Sequence, residues 1–259
     1  GGGAPYHSSQ SASERGRVGK NGAGGGRIRI RASGDVHVIG SYLYANGQHG
    51  STVVTPAASL GTGGGSGGSI HVRGRNVWAW QSTFTANGGG SYVAGSGGGG
   101  SGGRISVEGG SFDHTGLTTT VYGGWASTSQ SCKGAAGSWY YATTHNQTLK
   151  YHTTYDMSDD AYTPMPTFNG GPNAFSKPQS NLEIELSSHV HLWTDSDRPI
   201  VARRFRALSS NTYVSGDDVR FQVATIDSAA VTNGWSRVVF ASDVAATSPN
   251  GAHAQATPE

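Results

Sequence analysis

Cysteine is almost absent from this chain: Cys132 stands alone among 259 residues. A single thiol excludes an intrachain disulfide framework and a zinc site built on cysteines, and leaves Cys132 either buried or paired with another chain. Charge is scarce too, at 13% of residues, and its formal balance of +2 is too even for a general nucleic-acid binder. No apolar run approaches the roughly 18 residues that a membrane-crossing helix needs. Only 9 prolines are present and no Gly-X-Y period runs through the sequence, which excludes a collagen triple helix. No segment carries a convincing helical period. The first residues, Gly1-Gly2-Gly3, show neither an initiating Met nor a signal-peptide pattern, so the chain reads as a piece of a longer or processed polypeptide.

Glycine is in excess instead, with 42 residues, more than twice the ordinary share of about 7%. Residues 1–110 hold 32 of them and the remainder holds 10. Charge divides at the same place. The first part has 9 Lys/Arg against 3 Asp/Glu, the second 9 against 13, an asymmetry that marks two regions. Gly/Ser stretches such as residues 61–68 and 95–103 behave as flexible linkers unless neighbouring copies of a repeat hold them.

Such a repeat is present. Its first copy runs from Gly25 through Arg27-Ile28-Arg29-Ile30-Arg31 to Ser41-Tyr42-Leu43-Tyr44-Ala45-Asn46-Gly47. The second runs from Gly67 through Ser69-Ile70-His71-Val72-Arg73 to Ser82-Thr83-Phe84-Thr85-Ala86-Asn87-Gly88. The third runs from Gly102 through Arg104-Ile105-Ser106-Val107-Glu108 to Thr118-Thr119-Thr120-Val121-Tyr122-Gly123, and a degenerate fourth begins at Gly137-Ser138-Trp139-Tyr140-Tyr141. Each copy alternates with period two, as a half-buried strand does. Ile28/Ile30, Ile70/Val72, Ile105/Val107, Leu43 and Phe84 are expected to face a core. In the third copy Thr119 stands where an inward Leu or Phe is expected, which leaves the register there open. One copy cannot bury its own apolar face, so copies must stack, like on like. The fold expected is all-β: a parallel β-helix (β-solenoid) with long Gly-rich loops, followed by further β-rich coils or a small β domain. A β-sandwich with Gly-rich linkers and a bundle of extended Gly-rich chains are the alternatives. Asn46-Gly47 and Asn87-Gly88 are expected to supply φ > 0 at sharp corners, and the longer glycine runs to let backbones pass closely.

The domain boundaries expected are residues 1–145 for the Gly-rich repeats and 146–180 for a Pro/Gly-containing excursion or boundary. A β-rich continuation or second β domain follows over 181–246, where Leu182-Glu183-Ile184-Glu185-Leu186 alternates cleanly. Residues 247–259 read as a polar tail or linker.

The stretch Gly63–Val72, followed by Phe84-Thr85-Ala86-Asn87-Gly88-Gly89 and then Gly99–Val107, resembles the glycine-rich β-helix repeat segments of large extracellular structural or adhesive proteins. Such segments belong to algae, other protists and plants and to some bacterial surface proteins. Gly134-Ala135-Ala136-Gly137-Ser138-Trp139-Tyr140 is similar to the closing coil of such segments, and the resemblance covers roughly residues 20–145. It implies an extracellular or cell-surface location and a role in a filament, flagellar hair or matrix. Copies of itself or other segments of a larger surface protein would be its partners. It carries no catalytic residues.

Parallel β-helices also host polysaccharide lyases and hydrolases, so paired carboxylates matter. Glu183 and Glu185 lie opposite Leu182, Ile184 and Leu186 and read as a solvated strand face. Asp195-Ser196-Asp197 reads as a turn with too few oxygens for calcium, and Asp217-Asp218 are merely adjacent. His189-x-His191 lacks a third ligand. No enzyme activity, catalytic residue, metal or cofactor is therefore expected, bound glycans aside. Arg27-x-Arg29-x-Arg31 and Arg203-Arg204-x-Arg206 are either solvent-facing ladders or grips for anionic glycans or phosphates. Gly-rich runs here precede strands without a following Gly-Lys-Ser/Thr, which rejects a phosphate loop. Thr83-x-Thr85 and Thr118-x-Thr120 recur like ice-binding Thr arrays, but Tyr42 and Tyr44 break the array. The interaction candidates are Trp78, Trp80, Tyr42 and Tyr44, outward rings that stack on sugars or on a neighbouring subunit. Asn146-Gln147-Thr148 is the sole N-glycosylation sequon, making Asn146 the glycosylation candidate of a secreted protein. The function expected is a non-enzymatic structural segment. A carbohydrate-binding or carbohydrate-cleaving domain and an adhesin module are the alternatives.

Overall fold

The computed structural model describes residues 20–54, 59–91, 97–126, 133–152, 163–164, 182–187, 190–193, 200–207, 213–215 and 221–228. All regular structure among them is β, with no helix. The first copy supplies β1 (Arg27–Arg31), β2 (Val36–Ile39) and β3 (Tyr42–Tyr44), followed by a small antiparallel pair, β4 (Thr52–Val54) and β5 (Ser59–Gly61). The second supplies β6 (Ser69–Arg73), β7 (Asn76–Trp80) and β8 (Thr83–Thr85), and the third β9 (Arg104–Glu108), β10 (Ser111–Asp113) and β11 (Thr118–Thr120). Equivalent strands pair in parallel. β1, β6 and β9 share one sheet, β2, β7 and β10 a second, and β3, β8 and β11 a third. Like stacks on like: Ile28, Ile70 and Ile105 are in register, as are Ile30, Val72 and Val107. Leu43, Phe84 and Thr119 also align, so the third copy keeps its register despite the threonine.

The glycine runs form a second lattice beside the sheets. Segments 20–26, 62–68, 97–103 and 133–137 lead into β1, β6, β9 and β12 (Gly137–Ala142); segments 45–51, 86–91 and 121–126 follow β3, β8 and β11. Within each set neighbours run parallel, as where Gly22 donates to Gly63 (2.9 Å) and Gly64 to Gly98 (2.9 Å). Between sets they run antiparallel: Thr62, Gly65 and Gly68 donate to Ser51, Gln48 and Ala45. Every third residue thus addresses the same neighbour, the period of a polyproline II helix. Close approach is what requires glycine here. A Cβ on Gly64 or Gly67 would overlap the carbonyl of Gly89 or Ala86 in the other set, and one on Gly65 or Gly68 that of Ala23 or Gly26 in the preceding copy. Only the third position, Ser66, carries a side chain. The same Gly-Gly-Ser-Gly-Gly order fills residues 99–103.

Both edges of this lattice carry side chains where its interior has glycine. The sheet register sets Ala23 beside Gly65 and Gln48 beside Gly89, on the side away from the second copy. At the other edge Lys133 and Ala136 stand level with Gly99 and Gly102.

One expectation is corrected. Gly47 and Gly88 do not adopt positive φ; among the described residues only Gly40 (55°), Gln81 (46°) and Gly116 (70°) do. These three are equivalent corners between the second and third sheets. Gly47 is instead required because a Cβ would overlap the carbonyl of Gly65. Its neighbour builds a ladder: Asn46 Oδ1 accepts the Asn87 N–H (2.8 Å), and Asn87 Oδ1 accepts the Tyr122 N–H (2.8 Å).

The fourth copy turns back. β12 pairs in parallel with β9 but is followed by an antiparallel partner, β13 (Gln147–His152), so the stretch 146–180 opens with a strand. Beyond it come β14 (Thr163–Pro164), β15 (Leu182–Ser187), β16 (His191–Trp193), β17 (Ile200–Ala207), β18 (Tyr213–Ser215) and β19 (Phe221–Ser228). β13, β15, β17 and β19 extend the first sheet to eight strands, while β14, β16 and β18 form another. The core changes face at this reversal. Trp139 joins Ile70, Val72, Phe84, Ile105 and Val107 in one cluster; Tyr140 and Ala142 join Leu149, Tyr151, Ile184, Leu186 and Phe205 in the other. β12 is therefore a strand with a core on each face, which explains three consecutive aromatics at 139–141.

Candidate functional site

Outward side chains of the sheet β2-β7-β10 form ladders across the three copies. His37, Trp78 and Asp113 are in register, and the His37 and Trp78 rings stack with centroids 4.6 Å apart. Below them Asn76 Nδ2 donates to Asp35 Oδ1 (3.1 Å) and Ser111 Oγ donates to Asn76 Oδ1 (2.9 Å). Arg75 Nε also donates to Asp35 (3.1 Å) and is the main cause holding that carboxyl below its usual range. Asp113 is likewise held low, by the Thr115 hydroxyl first and then by the Trp80 side chain. Trp80 is thereby fixed by its polar edge while its ring stays at the surface.

Ile39 lies beside Trp80 at the end of this sheet. Just past the Gly40 corner, Tyr42 and Tyr44 project from β3 with ring centroids 5.8 Å apart. These four are the exposed large hydrophobic residues among those described: Tyr42 67%, Tyr44 57%, Ile39 54% and Trp80 38% exposed. Three of the four interaction candidates read from sequence thus gather at one corner, and Trp78 sits one step away, half-buried against His37. Ile39 was missed, although period two from the inward Val36 and Val38 sets it outward with His37.

The other candidates lie elsewhere. Asn146 is exposed in the β12–β13 turn, held by its N–H to Thr143 Oγ1 (3.0 Å). Tyr42, Thr83 and Thr118 are in register, as are Tyr44, Thr85 and Thr120, but Thr85 is buried, so the threonines present no regular exposed array. Arg203 and Glu183 form an ion pair, and Arg206 Nη1 donates to Glu185 Oε2 (3.2 Å). Lys150 Nζ approaches the same Glu185 at 3.1 Å, so opposite charges alternate across three strands. Cys132, His189, Asp195, Asp197, Asp217 and Asp218 lie outside the described residues. Among the described residues no three His, Cys, Asp or Glu side chains gather to hold a metal ion, and no helix is long and apolar enough to cross a membrane. No protein-family model, curated protein or solved structure matches the chain.

Proposed function

We propose that the chain is a parallel β-helix segment with a non-enzymatic structural role in a large extracellular protein, building a surface filament, appendage or matrix. The observation that carries this reading is the double lattice. Three copies share in-register sheets, and their glycine segments bond to one another through the main chain in several directions. Main-chain bonding of that density resists extension without any special side-chain chemistry, and scarce charge limits repulsion between packed subunits. A glycan on the exposed Asn146 is compatible with this setting.

Negative-stain electron microscopy of the native material tests the assembly: regular filaments with this chain repeating along them are expected, and isolated short rods would remove the filament. Amide exchange tests the fold separately. The N–H groups of Gly65, Gly89 and Gly100 are expected to exchange as slowly as those of β6 and β9, and linker-like exchange would sink the lattice.

The exposed corner of Ile39, Trp80, Tyr42 and Tyr44 favours a second reading, carbohydrate binding or adhesion by stacked rings. A glycan array with Trp80→Ala and Tyr42→Ala variants separates it from pure scaffolding.

A further inference from the structure

The outer face of the first sheet gathers charge of one sign. Arg27, Arg29 and Arg31 project from β1, Ser69, His71 and Arg73 from β6, and Arg104, Ser106 and Glu108 from β9, in register across the three strands. Five arginines share this face with one carboxylate. Glu108 stands 3.5 Å from His71 Nε2 and 3.9 Å from Arg73 Nη1. Arg27, Arg29 and Arg31 are exposed and have no ion-pair partner among the described residues. Arg31 is paired directly with Arg73, a like-charge cross-strand pair that costs stability. The far half of the same sheet avoids this, setting Glu183 against Arg204 and Glu185 against Arg206. His71 feels the same crowding: burial lowers its pKa, and Arg31 and Arg29 oppose the upward pull of Glu108.

We propose that this face binds an acidic polysaccharide, the guanidinium groups of Arg27, Arg29, Arg31 and Arg73 pairing with sulfate or carboxylate groups along the glycan. Spacing supports a linear polyanion. Alternate residues on a strand lie about 6.6 Å apart and neighbouring strands about 4.8 Å, so Arg27, Arg29 and Arg31 form a row about 13 Å long with Arg73 about 5 Å to its side. Ser69 lies between Arg27 and Arg104, and Ser106 lies beside His71, so both offer neutral hydroxyls to the sugar hydroxyls between the anionic groups. Guanidinium suits both anions because its planar fork binds them bidentately. The proposal stands on this sheet's geometry and holds whether or not the chain builds filaments.

The test is binding of the full chain, by titration calorimetry at low and moderate salt, to polygalacturonate, to a sulfated galactan, to neutral dextran and to duplex DNA. Binding to one or both acidic glycans, weakened by salt, with none to dextran, is expected. The carboxylated and sulfated arms distinguish the anion. Arg27→Ser/Arg29→Ser/Arg31→Ser is expected to weaken binding at least tenfold, whereas Lys20→Ser/Lys133→Ser changes it less than twofold. An unchanged thermal transition of the triple variant shows that the fold survives, since these side chains are exposed. Equal binding by the triple variant, no binding to either acidic glycan, or tighter binding to DNA overturns the proposal.

Discussion

A methyl group is the smallest probe of the glycine lattice. At Gly65 or Gly100 it would meet a carbonyl oxygen of the neighbouring copy, Ala23 or Gly65 respectively, whereas at Gly26 nothing lies within 4 Å. Gly65→Ala and Gly100→Ala are expected to destabilise by about 3 kcal/mol or more, the upper range for overpacking. Gly26→Ala is expected to be neutral or to stabilise by about 0.5 kcal/mol through the unfolded state. Urea unfolding of the three variants measures the contrast. Gln81 is the opposite case. It holds φ at 46° where its equivalents are Gly40 and Gly116, and a non-glycine residue there costs on the order of 1 kcal/mol. Gln81→Gly should therefore raise the thermal midpoint by about 2–4 °C. The sequence shows Asn-Gly at 46–47 and 87–88 and so draws attention to the wrong corners. Positive φ at Gln81 is invisible in a residue that carries no mark of it. Close packing is legible once known: Gly-Gly-Ser-Gly-Gly fills the interior segments 64–68 and 99–103, whereas Ala23, Lys133 and Ala136 interrupt the glycines at the edges.

At the scale of elements, β12 decides how the chain is organised. Trp139 and Tyr140 are neighbours in sequence but belong to different cores. Trp139→Ala and Tyr140→Ala should each cost about 3–5 kcal/mol. Hydrogen exchange should nevertheless open different strands, β6 and β9 in the first variant and β13 and β15 in the second. Alkali reports mainly on the second core. Burial raises the pKa of Tyr140 and Tyr151 far above the usual tyrosine value. Both stay protonated when folded, while the unfolded chain ionises above about pH 10. The unfolded state then binds fewer protons, so stability falls with rising pH by about 1.4 kcal/mol per unit for each ring. The loss of stability above that pH, read by urea unfolding, should therefore shrink in a Tyr140→Phe/Tyr151→Phe variant; an equal loss in that variant would place the rings at the surface. The period-two patterns of β1, β6, β9 and β15 were legible because one face is wet and one dry. β12 was legible only as a degenerate repeat, since a strand buried on both faces has no alternation to read. The reversal into β13 depends on Tyr140 pairing with Leu149, a contact that no local pattern announces.

At the scale of the whole molecule, repeats contact only their neighbours, so stability should add copy by copy. Residues 69–103 contain one interior copy with its full glycine spacing. Duplicating that segment in tandem should give a folded chain with a larger urea m-value and an unchanged or higher midpoint, because m follows the surface exposed on unfolding. A lower midpoint with an unchanged m-value would mean that the copies are not equivalent units. The stacking of copies was legible from their shared residues. Neither the pairing of glycine segments across two antiparallel sets nor the gathering of arginines on one face could be read along the chain, because both depend on strand register. The side chains at the lattice edges carry that logic into inheritance. Ala23 and Gln48 at one edge, and Lys133 and Ala136 at the other, close the stack to a further copy of the same closeness. A gene encoding a longer version of this body gains nothing from copies appended outside those marks. It lengthens the lattice only by duplication from within, and a single mutation to glycine at an edge is the first step toward reopening it.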